Sequence, residues 1–362
     1  MVIKNVSVKD FMLFDSIDID FSPNINVISG ENSTGKTALI KLLYAISKEI
    51  SNFAAISDGY KPKVKSLAGI HKNDIGGNIP KKLTAVFGIK DLPDLSSLVR
   101  LRSSGEMQVT VDYGMTDKIK FTVSSEPFSF NMVSRSIPPE KEDIVYIPPK
   151  EMISATENFA SLYEEYHISF DETYYDLCRL LNRPQKKRLE EGMQAVSDNL
   201  ENLIKGKVVQ KNNLFFLDIN DVGEVPMGLI AEGYRKISTL LHLISTGTLT
   251  KGSILFWDEP ETNMNPRMIK PLAEALLEIA NAGVQIFTTT HDYFLQQYLN
   301  LAAVHPKKNP GDLDIRFISL YREDGTIRHE SESRVSYLEH NTIMEEYDNI
   351  FDEEQSLVYG DE

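Results

Sequence analysis

Residues 30–37 read GENSTGKT, which fits the pattern G-x-x-x-x-G-K-[ST]. Such a loop is built to hold phosphate. Gly30 and Gly35 allow backbone angles that turn the N–H groups of Glu31, Asn32, Ser33, Thr34, Lys36, Thr37 and Ala38 toward one concavity. A helix beginning near Lys36 would aim the positive end of its dipole at the same point. Lys36 is placed to neutralise β- and γ-phosphates, and the Thr37 hydroxyl to hold Mg²⁺.

A second stretch, SILFWDEPETNMNP at 253–266, ends an apolar run on two adjacent carboxylates, Asp258 and Glu259. The continuous run reads as a strand covered on both faces. Open α/β sheets place ligands at the carboxyl ends of such strands. Asp258 then suits Mg²⁺, directly or through a water, and Glu259 suits a base that polarises an attacking water. A third stretch, VQIFTTTHD, ends in His291, which can hydrogen-bond a γ-phosphate or that water, while Asp292 suits the N-cap of the next helix. A fourth, GLIAEGYRKIST at 228–239, sets Gly233 behind an acid and ahead of Arg235 and Lys236, where an apolar helix begins.

These stretches need elements to carry them. Alternating apolar residues over 2–28 (Ile17, Ile19, Phe21, then Ile25, Val27, Ile28) predict strands, the last feeding the phosphate loop. Residues 36–50 have helical apolar spacing, and 51–80 read as irregular. LTAVFGI, MQVTVDY and KIKFTV predict short strands, with GMTD as a turn, together a small antiparallel β lobe at about 83–125. EDIVYIPPKE is a buried strand stopped by two prolines, and 155–206 predicts two or three helices. Strands follow at LFFLDI, SILFW and VQIFTTT, with a helix at 267–281. DIRFISLY and TIRHESE predict a closing hairpin, and the last 24 residues form an acidic, solvated tail. This order implies an α/β core with lateral insertions.

Composition narrows the function. The chain has 362 residues, 41% of them hydrophobic, and a formal net charge of −15. That balance argues against indiscriminate nucleic-acid binding, whose affinity rests on cation–phosphate contacts. Local basic patches remain open at Lys61, Lys63, Lys65 and Lys72 and at RPQKKR, 183–188. No apolar run is long enough to span a bilayer, and the first residues lack a signal-peptide layout. With Cys178 as the single cysteine, the expected compartment is the reducing cytoplasm.

GENSTGKT, then LFWDEPETNMNP, then TTTHD resembles the ABC-type ATPase head of the SMC, RecF and OLD-like superfamily. GSILFWDEPE with THDYFL is more narrowly similar to stand-alone bacterial OLD-like ATPases, many encoded beside an effector in antiviral defence loci. The resemblance implies a P-loop fold of the ABC type with a β lobe and a helical insertion. The core would comprise 1–50 and 211–340, the β lobe and Q-loop-like strand 51–150, the insertion 151–210 and the acidic tail 341–362. It also implies an ATPase using ATP and Mg²⁺, and a homodimer closed around two ATP molecules.

In such heads a signature helix of one subunit touches the γ-phosphate held by the other. Here Ala231, Glu232, Gly233, Arg235 and Lys236 occupy that place, and the usual serine is missing. Asn263 and Asn265 fall in the D-loop, and Lys150 and Glu151 stand where a Q-loop glutamine is expected. Phe11 and Phe14 could stack on adenine, though core packing is the commoner use of such rings. Roughly 70 residues follow His291, too few for a Toprim nuclease domain, and 155–206 is too short for SMC-type coiled coils. Two readings follow: a dimerising ATPase switch with a protein effector, nucleic acid being open and membrane not expected; or a slow, ATP-holding scaffold that cages an effector.

Overall fold

The computed structural model describes residues 1–57, 75–103, 105–115, 118–134, 141–166, 168–190 and 192–360. Lys61, Lys63, Lys65 and Lys72 lie outside the described residues, as do residues 116–117 of the GMTD turn.

The chain opens on an antiparallel hairpin, β1 (Asn5–Phe11) and β2 (Phe14–Asp20). Strand β3 (Ile25–Gly30) follows and delivers the phosphate loop to helix α1 (Lys36–Ser57). Helix α2 (Ile75–Val86) packs on α1. Strands β4 (Glu106–Asp112), β5 (Ile119–Ser125) and β6 (Phe128–Ser134) form an antiparallel meander. The short buried strand β7 (Ile144–Ile147) precedes α3 (Phe159–Tyr166), α4 (Glu172–Leu181) and α5 (Met193–Ile204). Next come β8 (Gly206–Lys211), β9 (Leu214–Ile219), β10 (Gly223–Pro226) and α6 (Glu232–Ser245). The chain continues through β11 (Ile254–Trp257), α7 (Pro266–Asn281), β12 (Gln285–Thr289) and α8 (Tyr293–Val304). It closes with β13 (Ile315–Glu323), β14 (Thr326–Glu332) and α9 (Thr342–Tyr359).

The central six-stranded sheet has the order β14-β13-β3-β12-β11-β7. Strands β13, β3, β12, β11 and β7 run parallel, and β14 is the antiparallel edge. Alternate residues of the central strands feed two cores. Val27, Val145, Leu255, Trp257 and Ile286 join the apolar faces of α5, α6, α7 and α8. Ile28, Tyr146, Ile254, Phe256 and Phe287 join α1 and the second sheet, of order β2-β1-β4-β5-β6. Helix α1, which starts at the phosphate loop, is therefore enclosed between two sheets, with Leu39, Leu42, Leu43 and Ile46 fully buried.

Several expectations change. The strands predicted as a β lobe do not stand apart: β4 pairs with β1, so the meander continues the N-terminal hairpin's sheet. LTAVFGI was expected as a strand, but its first four residues end helix α2. The reason is that Ile79, Leu83 and Val86 fall on one helical face and are fully buried there. The stretch 51–80, expected to be irregular, contains the end of α1 and the start of α2. Within the acidic tail, for which no element was foreseen, residues 342–359 form α9. The three-stranded sheet β10-β9-β8 surrounds the one strand foreseen there, LFFLDI.

Phe256 illustrates how the core supports the site. Its ring is fully buried and stacks on Phe287, with centroids 5.0 Å apart, two residues before Asp258. Phe256→Ala is expected to cost about 3–5 kcal/mol, the usual range for emptying a buried aromatic site. Denaturant unfolding followed by the emission of Trp257, the sole and fully buried tryptophan, measures it.

Candidate nucleotide site

The carboxyl ends of β3, β12 and β11 lie side by side, and each contributes to one cluster. From β3 comes the phosphate loop. Gly30 has φ +141° and Gly35 φ +94°, and a Cβ on Gly30 would sit 2.1 Å from the Leu320 carbonyl oxygen. Ser33 also has positive φ, and Glu31, Asn32 and Ser33 form an exposed crest. The Thr34 hydroxyl donates to the Glu31 carbonyl (2.8 Å), closing the loop on itself. Lys36 is buried, and its ammonium donates to the carbonyls of Gly30 (2.8 Å) and Glu31 (2.7 Å). Burial pushes its pKa down to about 8, against the pull of Glu259, Asp258, Glu261 and Glu31. Thr37 and Ala38 continue in the first turn of α1.

From β11 come the two acids. Asp258 is buried and accepts three hydroxyl hydrogen bonds: from Thr37 (3.1 Å) and Thr289 (2.6 Å) on one oxygen, and from Tyr146 (3.0 Å) on the other. Burial raises its pKa, and the three hydroxyls oppose that rise. Glu259, just past the end of β11, adopts positive φ (+47°). Its backbone N–H donates to Thr289 Oγ1 (3.0 Å), so one threonine orients both acids.

From β12 comes His291. Its Nε2 lies 3.5 Å from Glu259 Oε1, and both side chains are about one-third exposed. Burial and the nearby Lys36 ammonium lower its pKa, so the imidazole is neutral near pH 7. Asp292 caps α8 by accepting from the Leu295 N–H (2.7 Å). Phe11 and Phe14 are both fully buried, and Phe14 packs against Gly35 from the core side, so neither ring is open to a base.

The other candidates form a second cluster, joined to the first by the loop after β11. Lys236 is buried and donates to the carbonyls of Glu259 (3.3 Å), Pro260 (3.3 Å) and Thr262 (2.8 Å), so its charge is used inside its own subunit. Asn263, at φ +61°, donates to both Glu232 oxygens (3.2 Å each), and Asn265 caps α7. Gly233 is buried against Met264, where a Cβ would come to 3.4 Å. Ala231 is the N-cap of α6 without a side-chain cap. Arg235 pairs with Glu151 (3.1 Å), whereas Lys150 lies over the Phe170 ring.

Sequence reasoning did not single out Tyr146, Thr289 or Glu261. The first two fix Asp258. Glu261 accepts from the Thr290 hydroxyl (2.7 Å) and the His291 backbone N–H (3.0 Å), tying the histidine turn to the loop after Asp258. Their residue types were in plain view in YIPPKE, TTTHD and DEPE, but their convergence depends on strand order.

A phosphate loop, a carboxylate pair and a strand-end histidine, gathered on a parallel sheet backed by a second, antiparallel one, define an ATPase of the ABC type, in the superfamily of SMC and RecF proteins. The chain belongs to the AAA_21 family ("AAA domain, putative AbiEii toxin, Type IV TA system"), matched over residues 25–295. It is 21% identical over 319 residues to an "ATP/GTP phosphatase" of Helicobacter pylori, covering 80% of this chain and 85% of that one. A 47-residue stretch is 43% identical to the RecF protein of Halalkalibacterium halodurans, spanning 13% of either chain. In fold it is similar to an SMC head bound to the C-winged helix domain of ScpA (TM-score 0.53, 13% identity, 93% of this chain and 100% of that one). It is also similar to the SMC head domain from Thermotoga maritima (TM-score 0.50, 12% identity, 92% and 99%). Among the described residues no helix is long and apolar enough to cross a membrane.

Burial pushes the Glu261 carboxyl up from 4.5 to about 7. A carboxyl whose folded pKa exceeds its unfolded one binds more protons when folded, so its contribution to stability falls as pH rises from about 4.5 to about 7. Glu261→Gln keeps an acceptor and removes the charge. It is expected to be about 1–3 kcal/mol more stable than the parent above pH 7, with the gain vanishing near pH 4.5. Thermal or urea unfolding of both proteins across pH 4.5–8 measures this.

Proposed function

We propose that the chain is an ATP-driven switch that closes as a homodimer over two ATP molecules and passes that closure to a protein effector. The observation that carries this reading is the convergence of Lys36, Thr37, Asp258, Glu259 and His291 at the ends of three adjacent strands. Lys36, now satisfied by two loop carbonyls, exchanges them for β- and γ-phosphate oxygens. The paired hydroxyl and carboxylate of Thr37 and Asp258 are hard oxygen donors 3.1 Å apart, which suits Mg²⁺. The metal, when bound, supplies charge neutralisation on the phosphates. Glu259 polarises the attacking water, and neutral His291 hydrogen-bonds the γ-phosphate or that water. The phosphate loop's N–H groups, from Glu31 to Ala38, hold the remaining phosphate oxygens.

Across the dimer, the N-terminus of α6 faces the partner's nucleotide, with Ala231, Glu232 and Gly233 in the signature place and Arg235 behind them. Asn263 and Asn265 lie on the same edge, and Lys150 and Glu151 link that edge to residues 151–210. In this scheme the ATPase core comprises residues 1–50 and 211–340 together with β7, which pairs with β11 and supplies Tyr146. The name of the Helicobacter relative supports hydrolysis, and the SMC head bound to a ScpA domain supports a protein partner. The resemblance of GSILFWDEPE and THDYFL to OLD-like ATPases supports a role in bacterial antiviral defence, and the single cysteine supports a reducing cytoplasm.

One observation favours the slower alternative, a scaffold that holds ATP and cages an effector. The signature place carries the acid Glu232, held by Asn263, instead of a serine. Lys36→Ala is expected to abolish ATP binding in equilibrium titration, and retained affinity would remove the site assigned here. Glu259→Gln is expected to lower kcat by at least about 100-fold while preserving ATP-dependent dimerisation in light scattering. If the parent protein's turnover is negligible with and without DNA and the dimer still forms on ATP, the scaffold reading replaces the switch.

A further inference from the structure

Helix α9 carries an apolar stripe that the described residues leave open. Tyr347, Ile350, Phe351, Leu357 and Val358 recur at helical spacing and are each more than half exposed. The rest of the helix is acidic, with Glu345, Glu346, Asp348, Asp352, Glu353 and Glu354 and no lysine or arginine. Among the described residues the anchoring contacts lie at its first turns: Asn341 donates to Gln296 (3.0 Å), Gln297 to Met344 Sδ (3.1 Å), and Tyr347 stacks on Tyr293. An exposed apolar stripe of this length on a helix marks an interaction face.

A groove of matching character lies between α7 and α8. Its floor and walls are Ala273, Leu277, Tyr298, Leu301 and Ala302, and its volume is about 260 Å³. Lys270 and Lys308 stand on its rim, with Glu274 beside Lys270. Leu301 is exposed there. No α9 residue lines this groove in its own chain, because α9 is anchored at the other end of α8, beside Tyr293, Gln296 and Gln297.

We infer that α9 of one copy docks its Ile350–Phe351 face into the α7–α8 groove of a second copy. The charges favour this over pairing of two α9 helices. Two such helices would set six acids against six with no cation between them, whereas the groove offers lysines beside an apolar floor. The donor and acceptor faces differ, so the contact is head-to-tail. It closes into a ring, exchanges reciprocally between two copies, or extends a chain of them. It needs no nucleotide and is separate from closure over ATP.

The test uses the full-length protein carrying Lys36→Ala, so that ATP-dependent closure plays no part. Sedimentation should show self-association that weakens at least tenfold in Lys270→Glu/Lys308→Glu and, separately, in Asp352→Lys/Glu353→Lys. An equimolar mixture of the two variants should recover it. Leu301→Cys and Phe351→Cys, each alone, should give no disulfide-linked dimer under mild oxidation, and their mixture should give one, the native Cys178 being buried. A monomer at every concentration, efficient cross-linking of Phe351→Cys to itself, or association indifferent to the groove charges would each overturn the inference.

Discussion

The Asp258 carboxylate is the contact on which the rest of the site depends. It is buried, and ionised it would be costly without partners. The three hydroxyls that satisfy it come from three separate elements: Thr37 from α1, Thr289 from β12 and Tyr146 from β7. None of these is local in sequence, so the carboxylate fixes the relative placement of the phosphate loop, the histidine strand and the strand leading to the insertion. Burial of the rings around it explains why the arrangement holds. Tyr146, which contacts it, packs tilted on Tyr44, Tyr44 packs edge-on to Phe256, and Phe256 stacks on Phe287, all of them buried. Charged hydrogen bonds in such a dry setting are strong, and loss of one partner is not compensated by water.

The loop after β11 carries the consequence outward. Glu259 and Asn263 both sit at positive φ without being glycine, a conformation that costs free energy and persists only where the surroundings impose it. Lys236 imposes it. One buried ammonium collects three carbonyls of that loop, and desolvation lowers its pKa against the pull of Glu232, Glu261 and Glu259. The lysine thus fastens helix α6 to the segment that bears the candidate base. Lys236, grouped from sequence with the signature stretch, acts here as a strut within the subunit. Its neighbour Arg235 points the other way, to Glu151, and so ties the same helix to the strand end after β7.

Legibility followed from whether a residue's role is local. The phosphate loop, Asp258, Glu259, His291 and the cap at Asp292 lie next to the strand and helix ends that position them, and the alternation of Ile25, Val27 and Ile28 marked the sheet. Tyr146, Thr289 and Glu261 could not be ranked that way, since nothing in YIPP, TTT or DEPE says which hydroxyl or acid faces Asp258 or His291. The run LTAVFGI failed for a different reason. A short apolar stretch is compatible with either period, and only packing of Ile79, Leu83 and Val86 on α1 decides for helix. The meander β4–β6 was read correctly for its first two strands but detached from its sheet, because pairing with β1 is a contact about a hundred residues long in sequence. Acidity suggested a tail at 341–362; the 3.5-residue recurrence of Tyr347, Ile350, Phe351 and Leu357 was the helical signal that charge obscured.

The two struts on α6 have a mechanical consequence. A helix pinned at Lys236 to the Glu259 loop and at Arg235 to Glu151 cannot move with respect to one anchor without loading the other. The two anchors are alike in kind. Lys236 is buried and makes three hydrogen bonds to backbone, and Arg235 pairs with the buried Glu151 in a small network with Ser154, whose N–H and hydroxyl donate to the same carboxylate. Removing one partner of a buried, hydrogen-bonded charge costs several kcal/mol, and that holds at both anchors. Any displacement demanded at the N-terminus of α6 is therefore resisted at both the Lys236 and the Arg235 end. The Glu259 loop, α6 and the strand end after β7 are thus coupled, so that what α6 meets at its N-terminus is passed to both the candidate base and the helices after β7.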